Sequence, residues 1–428
     1  MSHVIAIATA GPLHASVRPP GSKSITNRAF VCAALADGIS NLRGTLDSDD
    51  TRVMRAALNQ LGLHVTADAA AATCITGCAG AFPVKKADLF VANSGTTMRF
   101  LAAALATSDG TYRLSGVPRM HQRPIGDLLD ALRQLGAKVR SEGIPGYPPI
   151  QIAAAGLAGG SARVRGDISS QFLSGLLMAA PYARRPVVLE VDGPLVSQPY
   201  VAMTLRVMER FGVPVAQRAM QRFSIDAPST YRSIDYQIEP DASAASYFWA
   251  AAAIAGGQVT VNGLGTQSVQ GDVAFCDCLE QMGCSVTRSV DRITVAGRAL
   301  HGIDVDMNSM SDTVQTLAAV ALFAAGPTTI RGVAHIRYKE TDRIGDLARE
   351  LRKVGAEVVE THDGLRITPQ PLHGAQLATY DDHRMAMSLA LIGLKVPGVR
   401  IQDPECTRKT YPDFFTDLQR LCQSAAAP

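Results

Sequence analysis

The sequence is poor in the features that mark several large functional classes. Among its 428 residues there is one tryptophan, Trp249, and it sits with Phe248 in an Ala-rich apolar stretch. Both therefore read as core residues rather than a base-stacking platform. No apolar run approaches the ~20 residues that cross a bilayer, so no membrane span is expected. A charge excess is missing too, since 41 Lys and Arg face 38 Asp and Glu for a net +3. That balance argues against a nucleic-acid partner and leaves any basic character local. The eight cysteines form no CxxC pair and have no His at zinc-finger intervals. Neither a metal site nor a disulfide framework is indicated, and reduced thiols in the cytoplasm are the default expectation. The apolar run near the N-terminus is not preceded by Lys or Arg, so it reads as a first strand rather than a signal peptide. No GxGxxG fingerprint follows a strand, and Gly21-Ser-Lys-Ser lacks the earlier glycine of a Walker A loop, because Ser16 occupies that position. His383, beside Asp381 and Asp382, has no second His nearby, so no metal is expected there.

What is present is a repeat. At roughly 72-residue intervals an amphipathic helix ends in Gly and is followed by a strand: Leu58-Asn-Gln-Leu-Gly62, Leu132-Arg-Gln-Leu-Gly136, Met208-Glu-Arg-Phe-Gly212, Leu279-Glu-Gln-Met-Gly283 and Leu351-Arg-Lys-Val-Gly355. Gly in each copy suits a helix C′ position, where a positive φ costs no Cβ clash. Upstream of each lies an Ala- and Leu-rich helix with few charges, which must be buried on all sides. Six such helices are expected, beginning near Ser24, Gly95, Ser170, Ser243, Asp312 and His383. The sixth unit ends with Phe415–Cys422, leaving no chain for its last strands, and the first twenty residues are available to supply them. These observations predict an α/β chain of six repeated units in two domains. Residues 1–20 with 241–428 would form one domain, and 21–240 an inserted second, with hinges at Pro19-Pro20-Gly21 and Glu239-Pro240.

The buried helices share polar starts: Ser22-Lys-Ser, Asn93-Ser-Gly-Thr-Thr, Asp167-Ile-Ser-Ser-Gln, Asp241-Ala-Ser, Ser309-Met-Ser-Asp and Asp381-Asp-His-Arg. Capping accounts for the Ser, Asn and Asp residues. It does not account for Lys23, Arg28, Arg99 and Arg384, which stand in or near the first two turns, where the helix dipole disfavours cations. A bound phosphate or carboxylate resolves the conflict. Three further cationic loops, Arg119–Pro124, Arg337–Arg343 and Thr407–Thr410, fall at equivalent repeat positions.

Seven ordered segments carry a specific resemblance: Pro20–Arg28, Asn93–Arg99, Arg119–Gly126, Ser169–Gln171, Ser197–Tyr200, Lys339–Arg343 and Asp381–Met387. Through them the chain resembles the 5-enolpyruvylshikimate-3-phosphate synthase (EPSP synthase) family of enolpyruvyl transferases over nearly its whole length. The resemblance implies a two-domain inside-out α/β barrel, each domain built of three βαβαββ units, with the active site in the interdomain cleft. It implies transfer of the enolpyruvyl group of phosphoenolpyruvate to the 5-hydroxyl of shikimate 3-phosphate, without metal or cofactor, in a cytoplasmic monomer.

Carried over by position, the resemblance assigns shikimate 3-phosphate to Lys23, Ser24, Arg28, Ser169, Ser170, Gln171, Ser197, Tyr200, Asp312, His335 and Lys339. His335 stands where the family commonly has Asn. Phosphoenolpyruvate falls to Lys23, Gly95, Arg123, Gln171, Arg343, Arg384 and Lys409. Asp312, Glu340 and Lys23 are the expected proton-transfer groups. The rival readings are the related transferase acting on UDP-N-acetylglucosamine, which uses a Cys-bearing loop where Arg119–Pro124 has none, and a catalytically silent anion-binding protein on the same scaffold.

Overall fold

The computed structural model describes residues 3–67 and 72–423. Two compact units emerge, one of Met1–Pro20 with Glu239–Pro428 and one of Gly21–Ile238. The second crossing falls before Glu239 rather than after Pro240. Glu239 accepts hydrogen bonds from the Ser268 hydroxyl, the Val269 N–H and the Gln270 amide, which bind it to the first unit.

Twelve α-helices occur among the described residues: α1 (Lys23–Leu35), α2 (Asp49–Gln60), α3 (Gly95–Ala106), α4 (Gly126–Gln134), α5 (Ser170–Ala179), α6 (Gln198–Arg210), α7 (Ala242–Ala255), α8 (Phe275–Gln281), α9 (Val314–Ala321), α10 (Gly345–Lys353), α11 (His383–Gly393) and α12 (Phe414–Gln423). Odd-numbered helices are the Ala- and Leu-rich ones. Every residue of α3, α7, α9 and α11 is buried, because no polar face exists to turn outward. In α7 the Trp249 indole donates to the Ile293 carbonyl at 3.2 Å, which fixes it as a core residue. Even-numbered helices bury one face only; α2, for example, buries Met54, Ala57 and Leu58 at i, i+3 and i+4. Five of them end at a glycine in the left-handed region: Gly62 (φ +90°), Gly136 (+92°), Gly212 (+88°), Gly283 (+109°) and Gly355 (+100°). Each follows the C-cap residue, the position where a Cβ would strain the chain reversal.

Among the described residues six open sheets accompany the helices. In Gly21–Ile238, strand Lys86–Phe90 runs parallel to Asp109–Ser115, which pairs antiparallel with Ile150–Ala155 and that in turn with Lys138–Ser141. Gly160–Arg165, Val187–Asp192, Arg222–Ile225 and Ala216–Arg218 repeat the pattern. The sheet around Ile39–Arg43 does so as well, but its leading parallel strand, Asp235–Gln237, comes from the far end of the insertion.

The other unit is permuted similarly, and the N-terminal segment divides between two sheets. Val4–Ala6 pairs antiparallel with Arg400–Gln402 and completes the sixth sheet, which has three strands. Leu13–Val17 instead runs parallel to Gly257–Asn262 and leads the fourth. The expectation that the whole segment belongs to the sixth unit is thus corrected: Leu13 is fully buried beside Gly257, where a side chain would strike the Leu13 carbonyl. The three buried helices of this unit meet through one hydroxyl each, Ser246 to Thr316 at 3.1 Å and Thr316 to Ser388 at 3.3 Å. All eight cysteines are unpaired. Among the described residues no helix is long and apolar enough to cross a membrane.

Candidate active site

Five of the six buried helices begin with a side-chain cap. Ser22, Ser94, Ser169, Asp241 and Asp382 each accept from a backbone N–H two or three positions on. Helix α9 is the exception. It starts at Val314, after a 3₁₀ stretch Asn308–Thr313 broken at Met310, so Asp312 lies on that stretch and not at a helix start.

In the unit Gly21–Ile238 the starts of α1 and α3 adjoin, with the Asn27 amide donating to Thr96 at 2.8 Å. Lys23 faces the buried Asp50 at 3.4 Å, a partner on α2 that nothing in the sequence pointed to. Arg28 is 1% exposed, and its bonds go to neutral acceptors. Nε donates to Thr204 at 2.7 Å, and the terminal nitrogens to the carbonyls of Ser24 (2.9 Å) and Tyr200 (3.0 Å) and to the Ser174 hydroxyl (3.4 Å). The rings of Phe100 and Tyr200 lie 5.2 and 6.0 Å from its guanidinium carbon. Among the described residues no carboxylate pairs with it. Burial lowers its pKa to about 10, which still leaves it charged at neutral pH. One network therefore gathers Ser24, Arg28 and Tyr200, and Ser197, held at φ +52°, starts the helix that carries Tyr200. Ser169 caps Gln171 at 3.3 Å, with Ser170 buried between them.

Gly95 is a close-approach glycine. A Cβ there would lie 2.5 Å from the Arg123 guanidinium and 2.8 Å from that of Arg99. Arg123 is oriented by the carbonyl and side chain of Asn93 at 3.0 and 3.2 Å, and Arg99 by the Pro124 carbonyl at 2.8 Å. Two buried arginines thus converge on the first turn of α3.

The other unit holds a denser cluster. Asp312 lies 3.1 Å from Arg343, 2.8 Å from Arg384 and 4.0 Å from Lys339. Arg343, only 1% exposed, also contacts Glu340 at 2.8 Å and Asp382 at 2.7 Å. Lys409 stands 3.9 Å from Glu340. Lys339, Arg343, Arg384 and Lys409 thus stand among the carboxylates of Asp312, Glu340 and Asp382. Burial alone would lower Arg343, but Asp382, Glu340 and Asp312 outweigh it and raise its pKa. Asp382 does double duty, because the same carboxylate caps the Arg384 N–H at 2.9 Å. The sequence showed it as a cap; its pairing with Arg343 across 39 positions was not legible. His383, between them, is fully buried, and among the described residues no group of three or more His, Cys, Asp or Glu is arranged to hold a metal.

His335 is 4% exposed, and burial, with Lys339 next in effect, pushes its imidazole down to about 3. It is a neutral hydrogen-bonding group at working pH. In the unfolded chain it would take a proton near pH 6.5, so below that pH the unfolded state binds more protons and folding stability falls until about pH 3. Relative to His335→Asn, the native protein is expected to lose about 3 kcal/mol between pH 7 and pH 4. Urea melts of the two proteins across that range check this, and parallel curves would contradict it.

Comparison with known proteins agrees with this geometry. The family described as EPSP synthase (3-phosphoshikimate 1-carboxyvinyltransferase) matches residues 7–418. A 3-phosphoshikimate 1-carboxyvinyltransferase of Nostoc punctiforme is 51% identical over 414 residues, covering 96% of this chain and 97% of its own. One of Nitrosomonas europaea is 51% identical over 407 residues, 94% of each. A solved EPSP synthase from Acinetobacter baumannii superimposes with a TM-score of 0.83 at 25% identity, over 98% of both chains. Capped helix starts crowded with buried cations, in six repeated units of this topology, and a match of this extent lead to one statement: the chain belongs to the EPSP synthase family.

Proposed function

We propose that this chain transfers the enolpyruvyl group of phosphoenolpyruvate to the 5-hydroxyl of shikimate 3-phosphate, releasing phosphate. The observation that carries this reading is the cluster in which Arg343, Arg384, Lys339 and Lys409 surround Asp312 and Glu340. It offers forks and point charges for an anionic substrate together with carboxylates able to move protons.

In this reading Arg343, Arg384, Lys409, Gly95 and Arg123 hold phosphoenolpyruvate, and Lys23 and Gln171 touch both substrates. Ser24, Arg28, Ser169, Ser170, Ser197, Tyr200, Asp312, His335 and Lys339 hold shikimate 3-phosphate. Asp312 takes the 5-hydroxyl proton as the oxygen adds to C2 of phosphoenolpyruvate, and the methylene carbon gains a proton from Glu340 or Lys23. The tetrahedral adduct then loses phosphate as its C–O bond breaks: the leaving oxygen takes up one proton, equal to the one Asp312 gained and gives back, and a methyl proton returns to the group that supplied it. Every proton is thereby conserved between substrates and protein, and no cofactor is required. The unpaired cysteines suit a cytoplasmic location.

Phosphate release from phosphoenolpyruvate, measured in parallel with shikimate 3-phosphate and with UDP-N-acetylglucosamine, tests the assignment. Release with the first alone is expected. Release with the second alone would transfer the chain to the rival activity, and release with neither would leave only anion binding. A smaller prediction concerns Gly95. Its replacement by Ala places a methyl against the Arg123 guanidinium, which must withdraw, so KM for phosphoenolpyruvate should rise about tenfold while KM for shikimate 3-phosphate stays within about twofold. Steady-state kinetics with each substrate varied in turn decides it.

A further inference from the structure

The residues of α10 that face inward and sideways are not a generic amphipathic stripe. Asp346, Arg349, Glu350 and Lys353 follow at i, i+3, i+4 and i+7 and share one side of the helix. Glu350 among them has no exposed surface on its side chain. Its two oxygens are fully engaged: one accepts the Ala378 N–H at 2.9 Å, the other the Tyr380 hydroxyl at 2.5 Å, and Lys353 lies 2.8 Å from both. Tyr380 and the next residue, Asp381, are both held at φ +55°. Neither is glycine, so this left-handed pair persists only where its surroundings enforce it. The enforcement comes from α10, since Arg349 also donates to the Tyr380 hydroxyl at 3.1 Å and packs over its ring at 5.7 Å.

Immediately beyond the left-handed pair comes Asp382, the residue that caps α11 and pairs with Arg343. The Arg343 end of that pair is tied to the same helix face. Thr341, two residues before it, donates to Asp346, which also accepts from Arg349 at 2.5 Å. Both partners of the buried Arg343–Asp382 pair are therefore registered against one side of α10.

We infer that Glu350 is a positioning residue for phosphoenolpyruvate binding: it locks the Tyr380–Asp381 turn and so sets Asp382, and through it Arg343 and Arg384, at the geometry that receives the anion. This rests on the function proposed above. A Glu350 that merely stabilised α10 would affect folding and leave the two substrates' KM values in their original ratio. A positioning Glu350 separates them.

Three variants make the test: Glu350→Ala, Glu350→Gln and Tyr380→Phe. Glu350→Ala is expected to raise KM for phosphoenolpyruvate about tenfold or more with KM for shikimate 3-phosphate within about twofold. Glu350→Gln, which keeps an acceptor for Ala378, should recover most of that loss. Tyr380→Phe removes one oxygen only, keeps the fold, and should fall between them. Amide hydrogen exchange gives a readout independent of turnover. Over residues 379–386 it should accelerate about tenfold or more in Glu350→Ala and measurably in Tyr380→Phe, with the starts of α7 and α9 unchanged. Unaltered exchange in that segment, or a parallel rise of both KM values, would overturn the inference. An inactive native protein would defeat the proposed function while leaving the exchange result to decide the role of Glu350.

Discussion

Arg28→Met is expected to keep the protein folded at close to its native stability while lowering kcat/KM for shikimate 3-phosphate about 1000-fold. The two halves of this prediction come from one observation, a guanidinium that is 1% exposed and has no carboxylate partner among the described residues. Moving a cation out of water without a counter-ion costs several kcal/mol. Neutral acceptors and two aromatic faces return part of that cost, and the pKa held down at about 10 by burial shows that they do not return all of it.

Methionine fills a similar volume without the charge. Its arrival orphans little, because the Thr204 hydroxyl keeps Ser174 at 2.8 Å and the Tyr200 carbonyl at 2.9 Å, and the carbonyls of Ser24 and Tyr200 lie within helices. Stability should thus change by no more than about 1 kcal/mol, in either direction. Binding is a different matter. A desolvated cation lacking an internal counter-ion is poised for an external anion, and losing such a charge-assisted contact costs roughly 4 kcal/mol, the stated 1000-fold. Thermal melts and steady-state kinetics on one preparation test both halves. A variant that melts far lower, or one that binds shikimate 3-phosphate normally, would return Arg28 to an ordinary structural role.

The contrast between Arg28 and its neighbours shows where sequence reading succeeds and where it stops. The five helix-ending glycines were legible because helix termination is local: a helix that must reverse into a strand needs a left-handed residue, and Gly62 through Gly355 all adopt one. Burial of α3, α7 and α11 was legible for a similar reason, as a helix with no polar face has one place to go. The split of the N-terminal segment was not, because which sheet receives a short strand depends on contacts with Gly257 and Arg400, far along the chain. Counter-ions were hidden for the same reason. Asp50 for Lys23 and Asp382 for Arg343 are separated from their partners by 27 and 39 positions, and each has a sufficient local explanation in the first turn or cap of a helix. Glu350 is the extreme case, a residue that reads as surface charge beside Lys353 and is in fact buried. Cations at helix starts read as a sign of bound anions; beside Lys23 and Arg384 the protein itself supplies a carboxylate, Asp50 and Asp312.

Asp312→Asn is expected to lower kcat by about 1000-fold or more while KM for phosphoenolpyruvate stays within about threefold. Of the three carboxylates in the cluster, Asp382 is fully buried and committed to a cap and to Arg343, and Glu340, 7% exposed at its side chain, lies between Arg343 and Lys409. Asp312 is the most open at 14% and lies on a 3₁₀ stretch broken at Met310. It is the carboxylate best placed to reach a substrate hydroxyl. Asparagine preserves the shape but accepts no proton at neutral pH, so the addition step fails. Anion binding survives, since Arg343 keeps Glu340 and Asp382 as anchors and the cluster's net charge rises by one. Glu340→Gln is the informative partner. If Asp312→Asn retains more than about a tenth of native kcat while Glu340→Gln does not, the hydroxyl proton passes to Glu340 and the roles proposed here must be exchanged. Single-turnover measurement of phosphate release with both substrates saturating separates a chemical defect from a binding one, because only a chemical defect persists when neither substrate limits.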